Sequence, residues 1–129
     1  MIDAERVDFI AVPTRDQERA VRFYEEILGL ARNPNSSERW VEFETGNVTL
    51  AILPHEYTGR TEFTPSSAPI ALRVPNVEKA REKLQDAGVE FQGEIIDSGV
   101  CHIAGFSDPD GNSLILHHRY APYADGTTP

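Results

Sequence analysis

The sequence predicts an α+β fold made of two like halves, and three observations carry that reading. A strand, a Val-Pro step, a helix ending in glycine and further strands occur twice, around Val12-Pro13 to Gly29 and Val74-Pro75 to Gly88. Each half supplies one amphipathic helix, too little to cover both faces of a sheet. The second half also closes on a hairpin pattern, two apolar runs around Asp108-Pro109-Asp110-Gly111. Identities between the halves are few, but the order of elements is what a duplicated module retains. Two such sheets placed side by side would enclose a cleft.

Residues 6–12 (RVDFIAV) read as the first strand, stopped by Pro13. Asp16 or Thr14 caps the following helix, and Thr14 with Gln17 also fits a capping box. Its apolar stripe is Ala20, Phe23, Tyr24, Ile27 and Leu28, closed by Gly29. Residues 32–38 are a polar loop. Residues 40–45 and 48–53 are strands around Gly46-Asn47, and 54–67 form a linker or a loop over the cleft. In the second half, 70–74 is a strand stopped by Pro75, and Asn76 caps a helix with the stripe Val77, Ala80, Leu84 and Ala87, ending at Gly88. Strands follow at 89–91, 99–106 and 113–118. In the last, Leu114 and Leu116 point one way while Ser113, Ile115 and His117 point the other.

Composition narrows the function classes. A chain of 129 residues makes one compact domain, 1–123, with modules at about 5–56 and 68–119 and a flexible tail at 124–129. The net charge of −9 argues against nonspecific nucleic-acid binding, which needs Lys and Arg to neutralise phosphates. No apolar run approaches the ~18 residues of a membrane span. The N-terminus lacks the pattern of a signal peptide, and the single cysteine, Cys101, fits a reducing compartment, so the expected location is cytoplasmic.

Three segments, VDFIAVPTRDQERAVRFYEEILGL, IALRVPNVEKAREKLQDAGVEF and DPDGNSLIL, resemble the vicinal oxygen chelate superfamily: glyoxalases, bleomycin resistance proteins and extradiol dioxygenases. The resemblance covers most of both halves in order. It implies two βαβββ modules forming a paired, cupped mixed sheet, a site inside the cup, and a homodimer. Carried over by position, the places of the superfamily's metal ligands fall on Phe9, Leu50, Pro69 and Ile115, whose side chains offer no donor atom. The resemblance therefore arrives without its metal centre. Metal-dependent isomerisation and ring cleavage lose their basis with it.

The remaining polar candidates are few. If the hairpin turns between Pro109 and Asp110, His102 lies directly across from His117, and both face the cleft. There they orient a ligand by hydrogen bonding, or, with Glu42 or Glu44, form a displaced divalent-metal site. His117 is also the candidate for acid–base catalysis, since imidazole titrates near neutral pH. Arg73 either anchors a carboxylate or phosphate or pairs with a neighbouring acid. Phe9, Trp40 and Phe106 either stack on a planar ligand or serve as core, with Leu50 and Ile115 as apolar lining. Cys101 reads as a structural cysteine, because its neighbour His102 points to the opposite face. Asp108 and Asp110 are turn formers.

The expected function is small-molecule binding of the glyoxalase/bleomycin-resistance type, with no cofactor, no nucleic acid and no membrane partner. The alternatives are a lyase, isomerase or dioxygenase-like enzyme, using a displaced divalent metal or His117 as acid–base, and a structural or regulatory module whose cup is filled by its own side chains.

Overall fold

In the computed structural model, which describes residues 1–129, the element order read from the sequence is present twice. The two units are Met1–Pro65 and Ser66–Pro129.

The first unit runs β1 (Phe9–Thr14), α1 (Gln17–Arg22), a π-helical turn (Phe23–Ile27), β2 (Ala31–Arg32), β3 (Val41–Glu44), β4 (Thr49–Pro54) and a 3₁₀ turn (His55–Thr58). Its sheet has the order β1-β4-β3-β2, with β1 parallel to β4 and the other pairs antiparallel. Pro13 does not stop β1 but lies within it, opposite Leu53. An edge strand tolerates proline because the missing N–H can fall on the unpaired side. Of the two candidate caps, Asp16 is the one used: its carboxylate accepts the Arg19 N–H at 3.1 Å. Thr14 instead bonds the Asp16 backbone, and Gln17 forms no capping box. Its amide donates to the carbonyls of Ile52 (2.9 Å) and Arg39 (3.0 Å), tying the helix to the sheet.

The wider π turn rotates the residues after it away from the regular helical stripe. Phe23 and Tyr24 are buried as expected, but Ile27 is exposed. Tyr24 stacks on Phe43 of β3 at 6.1 Å, and Leu50 and Ile52 share that face, so this side of the sheet is the core. Burying each such side chain contributes roughly 1.5–3 kcal/mol. Strand β2 lies at the edge of what the sequence marked as loop.

The second unit runs β5 (Ile70–Arg73), α2 (Val77–Asp86), β6 (Ile96–Asp97), β7 (Cys101–Ser107) and β8 (Ser113–Arg119). The order β5-β8-β7-β6 repeats that of the first sheet, again with the first strand parallel to the last. Asn76 caps α2 by accepting the Lys79 N–H at 2.8 Å, and Gly88 leaves the helix at φ +93°. The core packs Val77 and Leu84 of α2 with Ala104, Phe106, Leu114 and Leu116, all buried. The strand expected at 89–91 reduces to a single bridge between Phe91 and Phe106; the fourth strand is β6 instead.

The β7–β8 hairpin corrects the expected register. Asp108 to Gly111 does form a turn, closed by Gly111 N–H to Asp108 O at 3.0 Å, with Gly111 at φ +88°. Asp108 and Asn112 then pair across it, so the loop has three residues, not two. The hairpin centres on Asp110. His102 therefore faces His118, and His117 faces Ile103. Asp108 Oδ1 accepts the N–H groups of Asp110 and Asn112, both at 2.9 Å, and Oδ2 accepts the Asn112 amide at 2.8 Å, which fixes the loop.

Candidate functional site

Each sheet has one face on its helix and one face turned away from it, and strand parity assigns the candidates between them. In the first sheet Phe43 points at Tyr24, so Glu42 and Glu44 point away, together with Phe9, Ala11, Thr49, Ala51 and Leu53 in register. Trp40, just before β3, meets Phe9 edge-to-face at 5.5 Å. Phe9 remains 46% exposed, so the pair offers aromatic surface that the core does not use. Ala51, on the strand between theirs, is fully buried.

Polar groups on this face are held in place rather than free to swing. Trp40 Nε1–H donates to Glu42 Oε1 at 2.8 Å. The Asn33 amide donates to Glu44 Oε1 at 2.9 Å and to Glu42 Oε2 at 3.3 Å, and the Thr49 hydroxyl donates to Glu44 at 2.9 Å. Alternate spacing on a strand made the shared face of Glu42 and Glu44 legible. Asn33, which bridges them from the segment beyond β2, carried no sequence signal.

Leu50 belongs elsewhere. It is 1% exposed, pairs with Phe43 and fills the core, so it lines no binding face. Phe106 is equally buried and packs on Phe91 at 5.1 Å.

In the second sheet Arg73, Ile115 and His117 share the face turned away from α2, with Cys101 and Ile103 across from them on β7. His102 is on the other face. Its Nε2 lies 3.5 Å from Asp97 Oδ2 and its ring 4.8 Å from that of Tyr120. Together with His118, whose Nδ1 is 2.9 Å from Val74 O, it lines a groove of about 310 Å³ beside the start of α2. Asp97 is held below the usual aspartate range, first by the Gly99 N–H and then by the Tyr120 hydroxyl, which donates at 2.7 Å; the same bond pushes the Tyr120 phenol up.

A metal fits neither reading of the ligand set. Phe9, Pro69 and Ile115 have no donor atoms, and Leu50 is in the core. His102 and His117, on opposite faces of one sheet, cannot close on a single ion. No group of three or more His, Cys, Asp or Glu side chains stands where it could hold a metal.

The family model of the Glyoxalase/Bleomycin resistance protein/Dioxygenase superfamily matches residues 6–116. The chain belongs to this superfamily. Among solved relatives, the crystal structure of TnmS3, an antibiotic binding protein from Streptomyces sp. CB03234, shares 26% identity with a TM-score of 0.76, covering 92% of this chain and 99% of that one. A superfamily member from Sphaerobacter thermophilus shares 24% identity at TM-score 0.72, covering 88% and 97%. Lactoylglutathione lyase from Agrobacterium tumefaciens shares 14% at TM-score 0.73, covering 88% and 93%, a likeness of fold alone. No curated protein matches the chain. The family's own description joins glyoxalases and dioxygenases with bleomycin resistance proteins, and the choice between catalysis and binding rests on the site.

Proposed function

We propose that this superfamily member is a small-molecule-binding protein that holds a flat, largely apolar compound without a metal. The observation that carries the reading is the Phe9–Trp40 pair. Its exposed aromatic surface stands on a sheet face where Phe9 itself, at a carried-over metal position, offers no donor. Such surface is costly in water, and a flat ligand stacked on it relieves that cost. The 26% likeness to an antibiotic binding protein supports small-molecule binding. We also propose a homodimer, supported by exposed Val7 and Ile10 on and beside the edge strand β1.

Trp40 is the single tryptophan of the chain, so its emission reports on its own site. The neutral dye N-phenyl-1-naphthylamine should quench it saturably at one site per chain. Phe9→Ala should weaken that binding about 5- to 30-fold, the worth of one well-stacked ring. Absence of saturable quenching by this dye and by a panel of polycyclic antibiotics would overturn the reading. About one equivalent of divalent metal in protein purified without chelator would overturn its metal-free part. A single 14.4 kDa species in sedimentation equilibrium would remove the dimer.

A further inference from the structure

We propose that the ligand held against Phe9 and Trp40 carries a positive charge, a flat organic cation set between those rings and the carboxylates of Glu42 and Glu44. The inference rests on the small-molecule reading above and names the ligand's chemical class. Every residue it uses lies in the unit Met1–Pro65.

Register fixes where the charges stand. Ala11, Ala51 and Glu42 form one row across β1, β4 and β3, and Phe9, Thr49 and Glu44 form another. Glu42 Oε1 accepts the Trp40 Nε1–H at 2.8 Å, so this carboxylate touches the edge of the indole. Glu44 stands two residues further along the same strand face, about 7 Å away and in the row of Phe9. Both charges therefore border the aromatic pair.

This face offers acceptors and no free side-chain donor. The Trp40 indole N–H, the Asn33 amide and the Thr49 hydroxyl are all spent on the two carboxylates. Those donors are neutral, and a carboxylate has about four lone-pair sites, so acceptor capacity is left over. Neither Glu42 nor Glu44 enters an ion pair. The strand residues of this face include no lysine or arginine. Arginines nearby are engaged elsewhere: Arg32 with Glu25 at 3.0 Å, Arg6 with Asp8 at 2.8 Å, and Arg39 over the Tyr57 ring at 5.6 Å. Two solvated carboxylates alone would be an ordinary polar surface. Here they adjoin Phe9, which is 46% exposed, and Trp40, whose π faces attract a cation and disfavour an anion. Rings and carboxylates select the same sign of charge.

Two dyes of one skeleton separate this inference from the reading beneath it. N-methylacridinium differs from acridine by a methyl group and a fixed positive charge, in buffer alkaline enough to keep acridine neutral. Measured by Trp40 quenching and calorimetry on the full chain at low salt, the cation should bind about tenfold more tightly. Added salt should narrow the gap. Glu42→Gln keeps an acceptor for the indole N–H and removes the charge, so it should abolish most of the preference. Glu44→Gln should remove a smaller part, and the double variant all of it. Affinity for acridine should stay unchanged in all three, with circular dichroism confirming the fold. Equal affinity for both dyes in the wild type would overturn the cation inference and leave the binding reading standing. A preference that survives in the double variant would do the same, tracing it to the net charge of −9 instead. Failure of acridine, its cation and N-phenyl-1-naphthylamine alike to bind saturably would overturn both.

Discussion

The two units share one topology and diverge in what their sheets present. Each buries one sheet face under its helix, with Tyr24 and Phe43 at the centre of the first core and Phe106, flanked by half-buried Phe91, in the second. The faces turned away differ in sign. The first carries Glu42 and Glu44 beside Phe9 and Trp40, and the second carries Arg73, His117 and Arg119 beside Ile103 and Ile115. A duplicated element order keeps its core because packing tolerates only volume-conserving change. The opposite faces are free to take up different chemistry. Topology is therefore common to the two halves, and the chemistry of the face turned away from the helix is specific to each.

The comparison breaks first at the cores. Phe43→Ala and Phe106→Ala should each lower the unfolding free energy by about 3–5 kcal/mol in urea denaturation. A loss below about 1 kcal/mol in either would mean that its unit is not built around that ring. Leu50→Ala sharpens the distinction between core and face: it should cost about 2–5 kcal/mol of stability. Phe9→Ala, on the exposed face, should cost under about 1 kcal/mol and be felt in dye affinity instead. Reversal of those two outcomes would return Leu50 to the binding face. Asp108→Ala removes the acceptor of three hydrogen bonds in the second hairpin and should cost about 1–3 kcal/mol, with faster amide exchange in β7 and β8. The first unit's hairpin lacks such a carboxylate hub and should exchange at its usual rate.

The smallest effect is at Asp97. Its carboxyl lies below the ordinary 3.8, so its contribution to stability is present above that value and lost as pH falls through the depressed one. Carbon NMR should place its midpoint under 3.8 in the wild type, and Tyr120→Phe should move it upward. An unchanged midpoint would leave the Gly99 N–H, with His102 beside it, as the cause.

Much of the fold was legible because it is written in local chemistry. Asp16 and Asn76 cap because a short acceptor reaches the N–H three residues on, and Gly29 and Gly88 end helices because they accept positive φ. The site was legible only in part. Parity correctly grouped Ile115 with His117. The resemblance, not parity, put Leu50 on the binding face; His102 was misplaced because parity needs a register and the register depends on one additional loop residue. Two-residue strands such as β2 and β6 contain no period to detect, and the π turn after Arg22 leaves the helical stripe nearly intact in sequence.

By itself, then, the sequence determined the repeated order of elements, the turn at Asp108, the want of metal donors at Phe9, Pro69 and Ile115, and the family, all of which follow from residue identity and near-neighbour bonding. Tertiary structure decided that Asp108 pairs with Asn112, that His118 and not His117 faces His102, and that Arg73 stands unpaired beside His117. Those outcomes depend on contacts between strands distant in the chain, where a shift of one residue exchanges every side chain from one face of a sheet to the other.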